Sequence, residues 1–159
     1  MRSDTLSSGR QKIVLMVGLP GSGKSTWLDR KRANAISSDE MRRLIADDPA
    51  DQTIHARVFA AVRYLVRQRI DAGRPVTYID ATNLSRWERR QYLKLAKDRG
   101  CDVEAVWIDT PIDVCLERNR RRDRKVPEDV LRMLVSRLEP PSKAEGFTRV
   151  VRIRDGADT

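Results

Sequence analysis

Gly18-Leu19-Pro20-Gly21-Ser22-Gly23-Lys24-Ser25-Thr26 follows a short apolar run, Ile13-Val14-Leu15-Met16-Val17, and precedes a segment that can be helical. The order matters more than the letters. A strand delivers the chain to a glycine-rich turn, and the turn opens a helix whose first backbone N–H groups lack an intrahelical acceptor. Glycine at 18, 21 and 23 lets the N–H groups of this loop, through Ser22 and on to Thr26, close around a phosphate with no Cβ in the way. Lys24 is then placed to reach β- and γ-phosphates, and the Ser25 hydroxyl to ligate Mg²⁺. A Gly/Ser turn spelling the same pattern by chance is the bland alternative. The strand before it and the helix after it weigh against that. The stretch reads as a phosphate loop, with ATP or GTP and Mg²⁺ as expected ligands.

The rest of the chain repeats the same alternation. Lys12 to Val17 is the first strand, apolar enough to be covered on both faces. A helix from about Lys24 to Arg32 packs Trp27 and Leu28 onto the sheet, and Ala35-Ile36-Ser37 is a second strand. Ser38 is the expected N-cap of a helix through Ile45, with Asp39 and Glu40 in its first turn. Between Thr53 and Ala72, Ile54, Val58, Ala61, Val62, Leu65, Val66 and Ile70 recur at helical spacing, and Gly73 closes the helix. Pro75 to Ile79 is a strand, Ser85 to Arg99 a helix, and Val103 to Ile108 a strand. Thr110 caps the next helix with Pro111 as its first residue, and that helix runs into the arginines from Arg118 to Lys125. Pro127 opens a helix to about Leu138, and Arg149 to Ile153 is the last strand. This pattern predicts an α/β three-layer sandwich: a mostly parallel sheet of about five strands, helices on both faces, and a ligand at the strands' carboxyl ends.

Length and composition narrow the class. The 159 residues suit one domain, read as residues 11–155, behind a polar stretch, 1–10, read as a flexible leader with no apolar signal core. No apolar run approaches bilayer length, so no membrane partner is expected and the setting reads as cytoplasmic. Cys101 and Cys115 have no metal-binding spacing and are expected reduced and buried. Lys and Arg number 32 against 23 Asp and Glu, a net charge of +9 that favours a polyanionic partner over a merely solvated basic surface only when joined to other signals. At 5% aromatic residues an extensive base-stacking platform is not expected. The single histidine, His55, has no partner in step with it and reads as structural.

Three stations of charge follow strand ends. Asp39 and Arg42 lie three apart on one helix and share a face, so both can meet one substrate; Asp39 there can take a proton from an attacking hydroxyl, or can serve only the helix dipole. Asp80 stands where a carboxylate holds a water of the Mg²⁺ shell, but Ala81 and Thr82 follow it, so the paired acids of water-activating motors are absent. In the third, Arg118 and Arg122 are one turn apart and can grip the same triphosphate, whereas Arg120, Arg121 and Arg124 are candidates for an acceptor backbone.

On these residues the chain resembles the kinase domain of polynucleotide 5′-hydroxyl kinases. The phosphate loop at 18–27, Ser38-Asp39-Glu40-Met41-Arg42, Thr82-Asn83-Leu84 with Glu88-Arg89-Arg90, Arg118-Asn119 to Arg122, and Val126-Pro127 to Val130-Leu131 match five blocks in order. The resemblance implies Asp39 as general base toward a 5′-OH, with Arg42 on the acceptor's first bridging phosphate. It implies Lys24, Arg118 and Arg122 on the donor phosphates, the last two in an arginine-rich lid, and Ser25 on Mg²⁺. Asp80, Thr82 and Asn83 would face the acceptor. The family's acid stands directly before Thr-Asn, whereas Ala81 intervenes here, so Asp80 is assigned to Mg²⁺-bound water, to the support of Arg42, or to both. The implied partners are 5′-OH ends of DNA or RNA, for a stand-alone kinase that depends on other proteins for 3′-end healing and sealing; a homo-oligomer is compatible with the sequence. The nearest rival is a kinase for a small hydroxyl compound, and a more distant one is an acceptor-independent NTPase switch.

Overall fold

The computed structural model describes residues 9–123 and 125–154; the leader expected over 1–10 lies mostly outside them, as does Arg124. Five strands, β1 (Lys12–Val17), β2 (Ala35–Ser37), β3 (Val76–Asp80), β4 (Asp102–Asp109) and β5 (Arg149–Arg154), form one sheet in the order β2-β3-β1-β4-β5. Every pairing is parallel. Six helices connect and flank it: α1 (Lys24–Arg30), α2 (Ser38–Ala46), α3 (His55–Asp71), α4 (Arg86–Arg99), α5 (Ile112–Arg120) and α6 (Glu128–Arg137).

Central β1 explains its own composition. Ile13, Leu15 and Val17 join Val62 and Val66 of α3 and Tyr92 and Ala96 of α4 in one layer of core. Val14 and Met16 point the other way, onto Leu28 of α1 and onto Val106 and Ile108. Alternate residues of a strand face opposite sides, and here both sides are covered, so the strand is an unbroken apolar run. Trp27 adds a tilted ring contact to Tyr78, centroids 6.5 Å apart. A third cluster, Leu19, Leu84, Cys115, Leu116 and Leu131, sits beneath the glycine-rich turn and ties α5 and α6 to it. Cys101 and Cys115 are buried and unbridged.

Three local expectations shift. The cap of α2 is Ser37, whose hydroxyl accepts the Glu40 N–H at 3.2 Å; Ser38 is already helical and buried. Two adjacent serines offer the same chemistry, and the extended backbone at Ser37 selects it. Pro111, not Thr110, is the cap residue of α5, because the Thr110 hydroxyl is engaged elsewhere, donating to the Ser22 carbonyl at 2.7 Å. That helix also stops at Arg120 instead of running through the arginine cluster. Asn119 ends it: its side-chain amide donates to the Val126 carbonyl and accepts the Val126 N–H at 2.8 Å, folding the chain back on itself.

One buried ion pair locks the loops at the carboxyl edge. Arg89 of α4 is fully buried and forms a double hydrogen bond with Glu145, both at 2.9 Å, while donating to the Asn83 and Leu84 carbonyls at 2.9 Å. Removing one partner strands the other charge in a dry site, which costs about 3–5 kcal/mol. Arg89→Ala is expected to lower the melting temperature by roughly 6–20 °C, read by calorimetry. A shift of only a degree or two would mean that Glu145 relaxes to solvent.

Candidate active site

The carboxyl ends of β1, β2 and β3, with α1 through α6 around them, enclose a cleft of about 1250 Å³ lined by both the phosphate loop and the arginine segment. At its base the loop has the shape the glycines dictate. Gly21 (φ 82°) and Gly23 (φ 110°) adopt left-handed conformations that a side chain resists. A Cβ on Gly18 would stand 2.6 Å from the Ser22 hydroxyl, so that approach requires glycine. The Ser22 hydroxyl is itself buried without a hydrogen-bond partner. A buried polar group left open in a cradle of backbone N–H groups is what a phosphate oxygen would satisfy.

Lys24 lies in this base, donating from Nζ to the Gly18 and Leu19 carbonyls, each at 2.9 Å. Burial pulls its pKa down to about 8, against the opposing pull of Asp80 and then Asp39; Arg122 adds a further downward push. Lys24 is thus still mostly protonated at neutral pH, and an added phosphate would strengthen that charge. The coupling also shows that Asp39, Asp80 and Arg122, which are far apart in sequence, converge on one lysine.

Asp80 accepts a hydrogen bond from the Ser25 hydroxyl at 3.1 Å, and burial raises its pKa in spite of Lys24 and that bond. A hydroxyl beside a carboxylate, both hard oxygen donors next to a phosphate loop, fits Mg²⁺. Ser25 would hold the ion and Asp80 its water; the ion would neutralise charge developing on the phosphates. On the opposite wall Arg42 is buried, donates to Asp39 Oδ1 at 3.2 Å, and leaves its Nε without a partner. Asp39 itself remains 58% exposed, on the cleft surface. The carboxylate that holds Arg42 is therefore Asp39, while that of Asp80 is held by Ser25.

The arginine segment divides as its side chains find partners. Arg118 donates to the Gly21 and Ser22 carbonyls at 3.1 and 3.2 Å, and Arg122 lines the cleft facing Lys24. Arg120 instead pairs with Glu128 at 3.1 Å, and Arg121 with Glu117 at 2.9 Å. The role expected for Arg124 falls outside the described residues. Thr82 lines the cleft, and its carbonyl accepts the Gly18 N–H at 3.0 Å. Asn83, expected to face the acceptor, is only 3% exposed and donates its amide to the Met16 carbonyl at 2.8 Å, so its side chain secures the end of β1. Two residues to which the sequence assigned other places complete the frame: Thr110, whose hydroxyl straps the loop at Ser22, and Asn119, whose side chain pairs with the Val126 backbone just past Arg122. His55 lines the cleft in ring contact with Phe59, centroids 4.7 Å apart. Among the described residues no group of three or more His, Cys, Asp or Glu could hold a metal by itself, and no helix is long and apolar enough to cross a membrane.

Sheet order, glycine loop and facing arginines together define a P-loop kinase fold. The chain belongs to the AAA domain family, whose model matches residues 13–141. It is 31% identical over 157 residues to the transcription factor bHLH140 of Arabidopsis thaliana, covering 94% of this chain and 16% of that protein. It is 23% identical to the L-seryl-tRNA(Sec) kinase of Methanococcus maripaludis (81% and 53% covered) and 24% identical to the bifunctional polynucleotide phosphatase/kinase of Schizosaccharomyces pombe (92% and 34%). The chain thus spans about half or less of these relatives' lengths. Among solved structures it superposes on a chain of the Pnkp1/Rnl/Hen1 RNA repair complex with TM-score 0.70 at 22% identity, covering 81% of this chain and 44% of that one. A gluconokinase from Sinorhizobium meliloti gives TM-score 0.60 at 22% identity (94% and 85%), and the Mycobacterium tuberculosis APS kinase CysC, solved with AMPPNP and APS, 0.60 at 23% (94% and 90%). The shared fold is that of nucleotide-binding phosphotransferases.

Proposed function

We propose that the chain is a polynucleotide 5′-hydroxyl kinase, moving the γ-phosphate of ATP or GTP to the 5′-OH end of DNA or RNA. One observation carries the reading: Asp39 and Arg42 stand as a pair on the wall of the same cleft whose base is Lys24. A base and an acceptor-binding cation thereby face a donor-phosphate site. In the reaction Asp39 takes the proton of the 5′-OH as its oxygen forms a bond to the γ-phosphorus, and the bond from that phosphorus to the β-bridging oxygen breaks, releasing the nucleoside diphosphate. Lys24, Arg118 and Arg122 offset charge on the transferring group, and Arg42, with Nε still unfilled, takes the acceptor's first phosphate. The net charge of +9 and the resemblance of five blocks support a polyanionic acceptor.

Asp39→Asn is expected to lower turnover by about 10²–10⁴-fold while nucleotide affinity changes little. A fluorescent-nucleotide titration beside the rate measurement checks both halves. Near-normal turnover would leave Asp39 only its helix-dipole role.

The rival with support of its own is a small hydroxyl acceptor, since the gluconokinase and the APS kinase share this fold at similar TM-scores. Competition decides between them. A 5′-OH oligonucleotide is expected to displace sugars and nucleosides from the acceptor site, and preferential transfer to a sugar or nucleoside would overturn the nucleic-acid reading.

A further inference from the structure

Beside the cleft, on the outer side of α4, runs a second and shallower groove of about 1010 Å³, lined by Arg86, Arg90, Lys94 and Lys97 of that helix. Two of its three acids are already paired with cations. Asp102 pairs with Arg10 at 3.3 Å, Glu145 with Arg89, and Glu139 accepts the Arg86 backbone N–H at 3.0 Å. Lys94 pairs with Asp98. The side chains of Arg86, Arg90 and Lys97 form no ion pair among the described residues, so the groove presents three such cations against one carboxylate without an ion pair, Glu139, and stays net positive. They lie at i, i+4 and i+11 along one side of α4, a stripe of about 16 Å at the helical rise. That is the length of about five stacked nucleotides at ~3.4 Å each.

The groove is not isolated. Trp87 lines both it and the main cleft. It is 68% exposed, the most exposed large apolar side chain among the described residues. Trp27 and Trp107 each have a cation over the ring, and Trp27 a ring contact as well; Trp87 has neither among the described residues. A bare indole at the junction of a phosphate-handling cleft and a basic stripe suits an unpaired base, which stacks by its face whatever its identity.

We propose that this groove is the track for the body of a single-stranded acceptor: the 5′ terminus enters the cleft, an early base stacks on Trp87, and the following phosphates lie along Arg86, Arg90 and Lys97. This rests on the polynucleotide kinase reading and adds the strand's path to it. It predicts an acceptor KM that falls with strand length, because only strands longer than about three nucleotides reach the stripe.

The test measures kcat and KM for 5′-OH oligothymidylates and oligouridylates of three, six and twelve nucleotides at two salt concentrations. Wild type is compared with Trp87→Ala and with the triple variant Arg86→Ala/Arg90→Ala/Lys97→Ala, each checked for an unchanged melting temperature. In wild type the KM is expected to fall by about tenfold or more from trimer to dodecamer. In the triple variant that gain disappears, and the log–log salt slope for the dodecamer flattens by about 2, since each lost phosphate contact removes ~0.7. Trp87→Ala raises the dodecamer KM by about tenfold, the usual worth of one stacked base. The kcat on the trimer stays unchanged in the triple variant, whose three positions do not line the main cleft. A length-independent KM in wild type, or full length dependence in the triple variant, overturns the track and leaves the kinase reading standing. Failure to phosphorylate even the dodecamer overturns the kinase reading itself.

Discussion

Lys24→Ala is expected to abolish phosphoryl transfer to every acceptor, a loss of at least about 10³-fold. The lysine sits at the floor of the loop, and its ammonium is held between two backbone carbonyls and two converging carboxylates. It is the cation that the loop itself brings to the phosphates. Its charge is held there at a cost, because burial lowers its pKa to about 8. The sign of the pH effect follows from linkage. The folded-state value lies below the 10.5 of the unfolded chain, so between about pH 8 and pH 10.5 the unfolded state binds more protons. Lys24 therefore costs stability below pH 8, and the cost fades as pH rises through that window. Lys24→Met should be inactive, yet gain less stability from pH 8 to 10.5 than wild type does, as read by denaturant melts at the two pH values. Appreciable kinase activity in Lys24→Ala would remove the phosphate-loop reading.

Arg118→Ala and Arg122→Ala should each cost roughly 10³-fold in turnover, the scale set by arginines that stabilise a transferring phosphoryl group. Their geometry differs, and so should the accompanying effects. Arg122 faces Lys24 across the cleft and acts by charge. Arg118 is bonded to the Gly21 and Ser22 carbonyls, so its loss also loosens the phosphate loop and should weaken nucleotide binding as well. Arg120 and Arg121 are paired with Glu117 and Glu128 outside the cleft, and their alanine variants should retain near-normal turnover at saturating acceptor. Steady-state kinetics of the four variants beside nucleotide titrations separate these outcomes. Four indistinguishable variants would reduce the segment to an undifferentiated basic surface.

What could be read from the sequence was local. β1, the glycine loop and α1 are consecutive, and each residue type there answers a constraint within a few positions: apolar for a strand covered on both sides, glycine where φ is positive, lysine and serine at the helix start. Asp39 and Arg42 were legible for the same reason, being three apart on one helix. What was not legible depends on contacts across the chain. The Thr110 hydroxyl binds a carbonyl 88 residues away, so its threonine reads as a helix cap until the sheet brings β1 and β4 together. Arg89 finds Glu145 at a separation of 56 residues, and in sequence it is one more arginine on a basic helix. Helical spacing placed Arg118 and Arg122 on one face, but α5 ends before 122. The two meet in the cleft because the Asn119 side chain turns the backbone there, a pairing with Val126 that no periodicity reports. Asn83 carries a second task that no spacing reports: it lines the cleft, and its amide also holds the Met16 carbonyl at the end of the neighbouring strand.

The most direct measurement of the central claim is transfer of labelled γ-phosphate from ATP to 5′-OH DNA and RNA oligonucleotides in parallel, with and without Mg²⁺. The expected result is label on the 5′ end of at least one of the two acceptors in Mg²⁺, none when the metal is chelated, and none on an oligonucleotide whose 5′ end already carries phosphate. Release of labelled inorganic phosphate at the same rate with or without oligonucleotide, and no label on either strand, would contradict it.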